Sequence, residues 1–249
     1  MKETLLHSAL TPVVHSSHEV FYCPEESEFY SLCLERFVLN NRLPPKSVVE
    51  FGAGDGSPVI NALLRTQFNG SIHGYELNRA ACQVARARIE QYQLGKKYSI
   101  HDRSFFESSH PESEYLIANP PYLPAPDSDI CLPLLHGGID GTTITKQLLS
   151  LGYERTLLMI SSYSNPIELI NYAIKQNYRV TNFMVLPLEF GYYSSEAKVK
   201  NSIEQLRKHG KAFYSDKVYF LAGVGFSKLH HSDPDLSNEL IQVMMSSSQ

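Results

Sequence analysis

Short apolar segments with the length of β-strands alternate with segments of helical periodicity along most of this chain. The strand-like segments are 47–51, 71–76, 98–101, 115–118, 156–160, 179–186 and 218–226, and the helix-like segments are 25–39, 58–68, 79–92, 167–176 and 195–209. This alternation is typical of proteins in which helices cover both faces of a mostly parallel sheet. The pattern therefore predicts a Rossmann-like α/β fold with a seven-stranded sheet, whose ligands bind beyond the carboxyl ends of the strands.

The composition fits one domain with a large core. Hydrophobic residues make up 43% and charged residues 19% of the 249 residues, so the chain can bury enough apolar surface to fold. The net charge of −4 argues against a strongly basic nucleic-acid-binding protein, although a local basic patch is compatible with it. The four cysteines form no CxxC pair, which fits a reducing compartment. No apolar run reaches the ~18 residues of a membrane helix and no signal-peptide core follows Met1, so we expect a cytoplasmic protein without membrane association.

The sequence divides into three parts. Residues 1–45 form an N-terminal arm and a helix, 46–228 form the main domain, and 229–249 form a C-terminal tail. The main domain carries an insert at 189–216 between its last two strands, where residues 190–217 hold six Lys or Arg and three acids. This local positive charge is either the solvated face of a helix or a surface that contacts phosphates.

The ten histidines raise the question of a metal site. His15 and His18 lack nearby carboxylates in a suitable frame, and His230, His231 and Asp233 lie in the predicted tail. We therefore expect no metal ion.

A glycine-rich turn follows the first predicted strand. Residues 50–56 read EFGAGDG, and Gly52 and Gly54 allow the backbone to approach a ligand closely. Glu76 ends the second strand, where an acid can bridge two ribose hydroxyls. This combination is typical of a site for either a dinucleotide or S-adenosylmethionine. Glu50 favours the latter, because a carboxylate at the mouth of the turn repels a pyrophosphate and attracts the cationic methionine end of S-adenosylmethionine.

Asp102 follows the third predicted strand directly. Its carboxylate is placed to accept a hydrogen bond from an adenine amino group, although a surface aspartate that caps the next turn has the same pattern in sequence. The glycine-rich turn and Glu76 favour the binding role.

The tetrapeptide Asn119-Pro120-Pro121-Tyr122 follows the fourth predicted strand. Prolines have no N–H, so the carbonyls here are left free to accept hydrogen bonds. The Asn119 oxygen and the Pro120 carbonyl can hold both hydrogens of a planar NH2 group and direct its nitrogen toward an electrophile, and Tyr122 can stack on a flat acceptor. A plain turn also uses Asn-Pro and Pro-Pro, but the place of the motif behind a cofactor loop favours catalysis.

Together these residues resemble the class I S-adenosylmethionine-dependent methyltransferases that modify planar amino nitrogens. The resemblance implies that the cofactor contacts are Glu50, Gly52, Ala53, Gly54, Glu76, Asp102 and Asn119, and that the catalytic residues are Asn119, Pro120, Pro121 and Tyr122. It also implies the sheet order 3-2-1-4-5-7-6 with the last strand antiparallel. Residues 46–228 would be the cofactor-binding methyltransferase domain.

Two further stretches resemble the HemK-like protein glutamine-N5 methyltransferases within this class. Residues 135–141 (LHGGIDG) look like that family's Gly-Gly-x-Asp-Gly element, and 21–29 (FYCPEESEF) look like its Tyr-x-Pro-x-Glu segment. The Asn-Pro-Pro-Tyr motif is shared with adenine-N6 methyltransferases, so it indicates the chemistry of the acceptor and leaves its identity open.

We therefore expect an S-adenosylmethionine-dependent N-methyltransferase that acts on a protein glutamine amide, with a release factor as the implied protein partner. One alternative is an adenine-N6 methyltransferase of RNA or DNA, with the basic insert on the phosphates, and another is a small-molecule N-methyltransferase. A methyltransferase-like protein that binds without catalysis is disfavoured by the intact motif. The sequence makes no prediction of the oligomeric state.

Overall fold

The computed structural model describes residues 20–21, 23–41, 44–228 and 234–247. Nearly all of the predicted N-terminal arm and the five residues weighed for a metal site lie outside this set, so those predictions are not tested. Within the set, the chain forms a seven-stranded sheet covered by helices on both faces. The predicted α/β fold is therefore confirmed.

All seven predicted strands are present in the sheet. They are β1 (Ser47–Phe51), β2 (Ser71–Glu76), β3 (Tyr98–Asp102), β4 (Tyr115–Ala118), β5 (Arg155–Ser161), β6 (Tyr178–Glu189) and β7 (Val218–Lys228). Their order is β3-β2-β1-β4-β5-β7-β6. The first five pair in parallel, whereas β7 runs antiparallel to both β5 and β6. The sheet order that the resemblance implied is confirmed, including the antiparallel last strand.

Seven α-helices accompany the strands in the described part of the chain. They are α1 (Pro24–Leu34), α2 (Ser57–Arg65), α3 (Arg79–Gln91), α4 (Thr143–Ser150), α5 (Pro166–Lys175), α6 (Ala197–Lys208) and α7 (Ser237–Ser246). Helix α1 continues as a π-helical turn over Glu35–Leu39. None of the described helices is both long and apolar enough to cross a bilayer.

Two of these helices were not predicted. Helix α4 is short and follows the Gly-Gly-Ile-Asp-Gly stretch at 137–141. Helix α7 lies inside the predicted C-terminal tail. Both bury apolar side chains against the same face of the sheet, and Leu240 and Met244 of α7 are fully buried. Their stability therefore comes from tertiary packing, which short amphipathic segments do not reveal in sequence.

Side chains alternate between the two faces of the sheet and so decide which polar groups meet. Val48 packs on the face covered by α1, α2, α3 and α6, and Val49 packs on the opposite face. Because the period of a strand is two residues, Glu50 lies on the same face as Val48, and Asn119 on the same face as Ile117. Both polar residues thus end up at the carboxyl edge of adjacent strands, under α1.

Asp55, inside the glycine-rich turn, has a structural role. Its Oδ1 accepts hydrogen bonds from the backbone N–H and the hydroxyl of Ser57, at 3.0 and 2.7 Å. Its Oδ2 pairs with the Arg88 guanidinium of α3 at 2.5 Å. Asp55 therefore satisfies the first turn of α2 and ties α2 to α3.

Candidate active site

The glycine-rich turn leaves open space in front of β1. Gly52 and Gly54 have φ angles of +68° and +55°, which favour glycine. A Cβ atom added at either residue would meet no atom within 4 Å. The Gly52 and Ala53 N–H groups donate to the Tyr75 carbonyl at 2.9 and 3.1 Å, and Ala53 turns its methyl group inward, where it is 4% exposed. Only the backbone of the turn therefore faces this space.

Glu76 supports the turn from the end of β2. One carboxylate oxygen accepts the Gly54 N–H at 2.8 Å and the other accepts the Asn78 N–H at 2.7 Å. A carboxylate has about four lone-pair positions, so two remain for hydroxyl groups. The predicted contact with a ribose is compatible with this arrangement and stays a prediction.

Asp102 lies opposite Glu76 in the register of β2 and β3. Its side chain is 33% exposed, with Oδ2 at 3.8 Å from Arg79 Nε. Two large apolar side chains close to these acids in sequence, Leu77 and Phe106, are 59% and 44% exposed. The sequence analysis did not name these two residues, although an apolar residue directly after a strand-terminal acid is a signal that could have found Leu77.

Glu50 was predicted at the mouth of the turn, and this placement is wrong. Because its side chain points to the helix-covered face, Glu50 is only 1% exposed, and its Oε2 accepts a hydrogen bond from the Tyr98 hydroxyl at 2.6 Å. The pKa of Glu50 is raised to about 8, mainly by burial; the Tyr98 hydrogen bond opposes this rise and the nearby Glu76 carboxylate adds to it. Glu50 therefore lies beneath the turn.

Asn119 carries an unsatisfied group. Its Oδ1 atom is buried and has no hydrogen-bond partner among the described residues. The Asn119 side chain lines the same cavity as Glu26, from the first turn of α1, and lowers the pKa of the Glu26 carboxyl, as a hydrogen-bond donor does. An unpaired buried carbonyl oxygen costs about 1–3 kcal/mol and is expected where a ligand supplies the missing donor.

The two prolines and Tyr122 form the next part of the site. No described residue donates a hydrogen bond to the Pro120 carbonyl, as the sequence analysis expected. Tyr122 is 9% exposed, its hydroxyl donates to Glu26 Oε2 at 2.5 Å, and its ring centre lies 5.8 Å from that of Tyr163 at 60°. The Tyr122 ring is therefore held in the wall of the site, and its predicted stacking on an acceptor stays a prediction.

The Gly-Gly-Ile-Asp-Gly element packs directly on the Asn-Pro-Pro-Tyr loop. A Cβ atom at Gly137 would lie 2.7 Å from Tyr122 Cα, and one at Gly141 would lie 2.5 Å from the Tyr122 carbonyl oxygen. Asp140 fixes the element, because its Oδ2 accepts a hydrogen bond from the Asn165 amide at 2.7 Å. The two motifs that resemblance grouped together are thus in contact.

Gly141→Ala is expected to destabilise the protein by about 3 kcal/mol, because alanine at φ +79° is strained and its Cβ would also overlap the Tyr122 carbonyl. Gly210→Ala is the matched control, since Gly210 has φ +68° and nothing within 4 Å of an added Cβ. We expect this control to cost only about 1 kcal/mol. Urea unfolding of both variants measures the difference, and equal losses would contradict the packing argument.

A cavity of about 500 Å³ opens beside Asn119 and the two prolines. Its walls come from α1, the ends of β4 to β6, and the start of β7. Many of the lining side chains are aromatic, and they include Phe21, Tyr122, Tyr163, Phe190, Tyr193 and Tyr219. Three acids, Glu25, Glu26 and Glu189, also line it, and the described lining residues include no Lys, Arg or His. The cavity therefore favours a planar group without negative charge.

The basic insert is folded against the core. Val199 and Ile203 of α6 are 0% and 2% exposed. Lys198 pairs with Asp127 at 2.8 Å and with Asp129 at 3.4 Å, on the loop that follows the tetrapeptide. The Arg207 guanidinium lies 4.2 Å from the centre of the Tyr214 ring. Two of the six basic residues of 190–217, Lys198 and Arg207, therefore have partners within the protein, whereas Lys200, Lys208, Lys211 and Lys217 are exposed.

The fold recurs in solved structures. A candidate RNA methyltransferase from Pyrococcus horikoshii matches with a TM-score of 0.54 and 13% identity over 83% of this chain and 85% of that chain. TYW2 from M. jannaschii, in complex with AdoMet, matches with a TM-score of 0.50 and 13% identity over 85% and 80% of the two chains. The chain has the class I methyltransferase fold. No protein-family model matches the chain.

The fold by itself leaves the reaction open. The cyclase SpnF matches this chain with a TM-score of 0.50 and 10% identity over 81% of this chain and 80% of that one. Because one fold supports different reactions, function has to be argued from the side chains of the candidate site.

Proposed function

We propose that this protein is an S-adenosylmethionine-dependent N-methyltransferase that modifies the side-chain amide of glutamine in a protein. The observation that carries the proposal is the buried, unpartnered Oδ1 of Asn119, which lies in the loop after β4, the strand next to the glycine-rich turn. An NH2 group of the acceptor would supply the missing donor and would be held beside the cofactor space.

The residues around the turn fit this cofactor. Gly52 and Gly54 present open backbone, Glu76 keeps two lone-pair positions for the ribose, and Glu50 lies beneath the turn as a partner for a cation. Exposed Leu77 and Phe106, near Asp102, offer apolar surface to an adenine ring. When bound, S-adenosylmethionine supplies an electrophilic methyl group on a sulfonium.

Asn119 and Pro120 position the acceptor nitrogen. The Asn119 Oδ1 and the Pro120 carbonyl accept its two hydrogens, which aims the nitrogen and limits its rotation. The nitrogen would gain the methyl group as the bond between that group and sulfur breaks, which leaves a neutral thioether. The nitrogen would then release one proton to solvent, so the site needs no strong base. Positioning is the main contribution of these residues to the rate.

The charge of the cavity supports an amide over a nucleotide. A flipped adenine brings a phosphodiester, and enzymes that bind one place cations along its path. The described lining of this cavity holds three carboxylates and no cation, and Lys198 of the insert is already paired with Asp127 and Asp129. A glutamine side chain is neutral and planar at its amide, and the predicted release-factor partner would present one.

Methyl transfer from labelled S-adenosylmethionine to a cell lysate tests the proposal. We expect label that survives nuclease and is lost to protease, because the acceptor is a protein. The labelled protein is then digested to amino acids with proteases, which leave side-chain amides intact, and N5-methylglutamine is the expected product.

Two results would contradict this assignment. Label lost to nuclease would indicate an adenine acceptor, and in that case Lys200→Glu and Lys208→Glu should weaken binding in a salt-dependent way. Measurable S-adenosylmethionine binding without label in any fraction would indicate a small-molecule acceptor or a protein that binds without catalysis.

A further inference from the structure

Glu26 is a buried acid that the sequence analysis did not include in the site. It lies in the first turn of α1, is 6% exposed, and belongs to an element outside the sheet. Its Oε2 accepts the Tyr122 hydroxyl at 2.5 Å and its Oε1 accepts the Tyr219 hydroxyl at 3.2 Å. The Asn119 amide lines the same cavity and lowers the pKa of this carboxyl, as the NH2 end of an amide does. Glu26 therefore joins two residues of the Asn-Pro-Pro-Tyr loop to helix α1.

This contact decides which way the Asn119 amide points. An amide has a donor end and an acceptor end of nearly the same shape. A carboxylate accepts only from the donor end, so the Asn119 NH2 faces Glu26 and the Oδ1 faces away from it. The Oδ1 is the end left buried and unpartnered. With a neutral amide in place of Glu26, both orientations of Asn119 would find a partner.

We propose that Glu26 is a positioning residue, which holds the Asn119 amide and the Tyr122 ring so that Asn119 Oδ1 is presented to the acceptor nitrogen. The inference rests on the proposed methyl transfer for its kinetic effect and on the contacts alone for the orientation of Asn119. Burial raises the pKa of Glu26 although Tyr122, Asn119, Tyr219 and Cys23 lower it, so an acid at this position costs the fold stability near neutral pH. A hydrophobic core has no need of such a group.

Glu26→Gln tests the role in the full-length protein. The amide that this substitution introduces can donate to Asn119 Oδ1, which would turn the Asn119 amide round and remove its acceptor from the cavity. We expect kcat for label transfer to protein in a lysate to fall about 10²-fold, with S-adenosylmethionine affinity, measured by calorimetry, changed less than about threefold. Glu35→Gln is the matched control, since Glu35 follows α1 directly and binds Arg65 away from the cavity; we expect it to leave kcat unchanged.

A double-mutant cycle separates positioning from a merely structural role. If Glu26 acts through Asn119, the variant with both Glu26→Gln and Asn119→Ala should be no slower than Asn119→Ala alone. The proposal would be overturned if the rate losses of the two substitutions multiplied in the double variant. It would also be overturned if Glu26→Gln kept the wild-type kcat. Circular dichroism and thermal unfolding check that each variant is folded.

A second measurement is independent of the acceptor and of folding of the variant. In the ¹⁵N–¹H spectrum of the wild-type protein, the Asn119 side-chain NH2 signals should show a strong hydrogen bond, by a downfield shift and slow exchange with solvent. Signals at the position of a free amide would overturn the proposal even if the wild type transferred label. Hydrogen-bonded signals without any label transfer would support the orientation of Asn119 and contradict only the proposed function.

Discussion

Asn119→Ala is expected to slow methyl transfer by roughly 10³-fold and to change S-adenosylmethionine affinity by less than about fivefold. The reason is that Asn119 Oδ1 is a buried acceptor with no partner among the described residues, so its hydrogen bond is available for the acceptor nitrogen. Loss of one such oriented group typically costs 10²- to 10³-fold in kcat. Single-turnover transfer of labelled methyl groups, with cofactor binding measured separately by calorimetry, resolves the two effects.

Asn201→Ala is the control for this substitution. Asn201 is an exposed residue of α6, and its replacement should leave both quantities unchanged. If Asn119→Ala lowered the affinity for S-adenosylmethionine by the same factor as the rate of methyl transfer, Asn119 would have a role in cofactor binding alone. Retention of the full rate would remove the observation on which the proposed function depends.

Glu50→Gln is expected to remove the contribution of Glu50 to the pH dependence of the unfolding free energy, which is large in the wild type. The pKa of Glu50 is about 8 in the folded protein because of burial, against an ordinary value of 4.5. Between these two values the folded chain keeps a proton that the unfolded chain releases, so the unfolding free energy falls as the pH rises from about 4.5 to 8. The difference corresponds to on the order of 4–5 kcal/mol. Urea unfolding at pH 5, 6, 7 and 8 should show this fall in the wild type and a smaller one in Glu50→Gln.

The same group should make cofactor affinity depend on pH. Pairing with the cationic methionine end requires ionised Glu50, so wild-type affinity should rise about tenfold from pH 6 to pH 7, with proton release on binding. Glu50→Gln should bind more weakly at pH 7 and without this slope, whereas Glu112→Gln, at an exposed position, should match the wild type in stability and binding. Equal slopes for wild type and Glu50→Gln would exclude Glu50 as the cation partner.

The fold was predictable because its signals are local. Each of the seven strands contains an apolar segment that is visible in the sequence, and β1, β2 and β4 match their predicted first and last residues. Helices α4 and α7 escaped prediction because they are short and owe their stability to burial of a few side chains such as Leu148 and Leu240. Sheet order came from the resemblance, since local periodicity carries no information about which strands are neighbours.

The candidate site was predictable only where it lies in continuous motifs. The glycine-rich turn, Glu76, Asp102 and Asn119 to Tyr122 all lie at the carboxyl ends of strands, as expected. Glu26 was quoted within the segment that resembles Tyr-x-Pro-x-Glu and was given no role. Its partners Tyr122 and Tyr219 are 96 and 193 residues away along the chain. Contacts over such separations exist only after the sheet has formed.

By itself the sequence determined the fold class, the strands, and which residues follow their carboxyl ends, because side-chain periodicity and turn residues act over a few neighbours. Only the tertiary structure decided that Glu50 lies beneath the turn, with Tyr98 as its partner, and that Glu26 lines the same cavity as Asn119, with Tyr122 and Tyr219 as its partners. These are properties of burial. The identity of an acidic residue does not show what surrounds its side chain. Its pKa and its hydrogen-bond partners depend on what the folded chain packs around it.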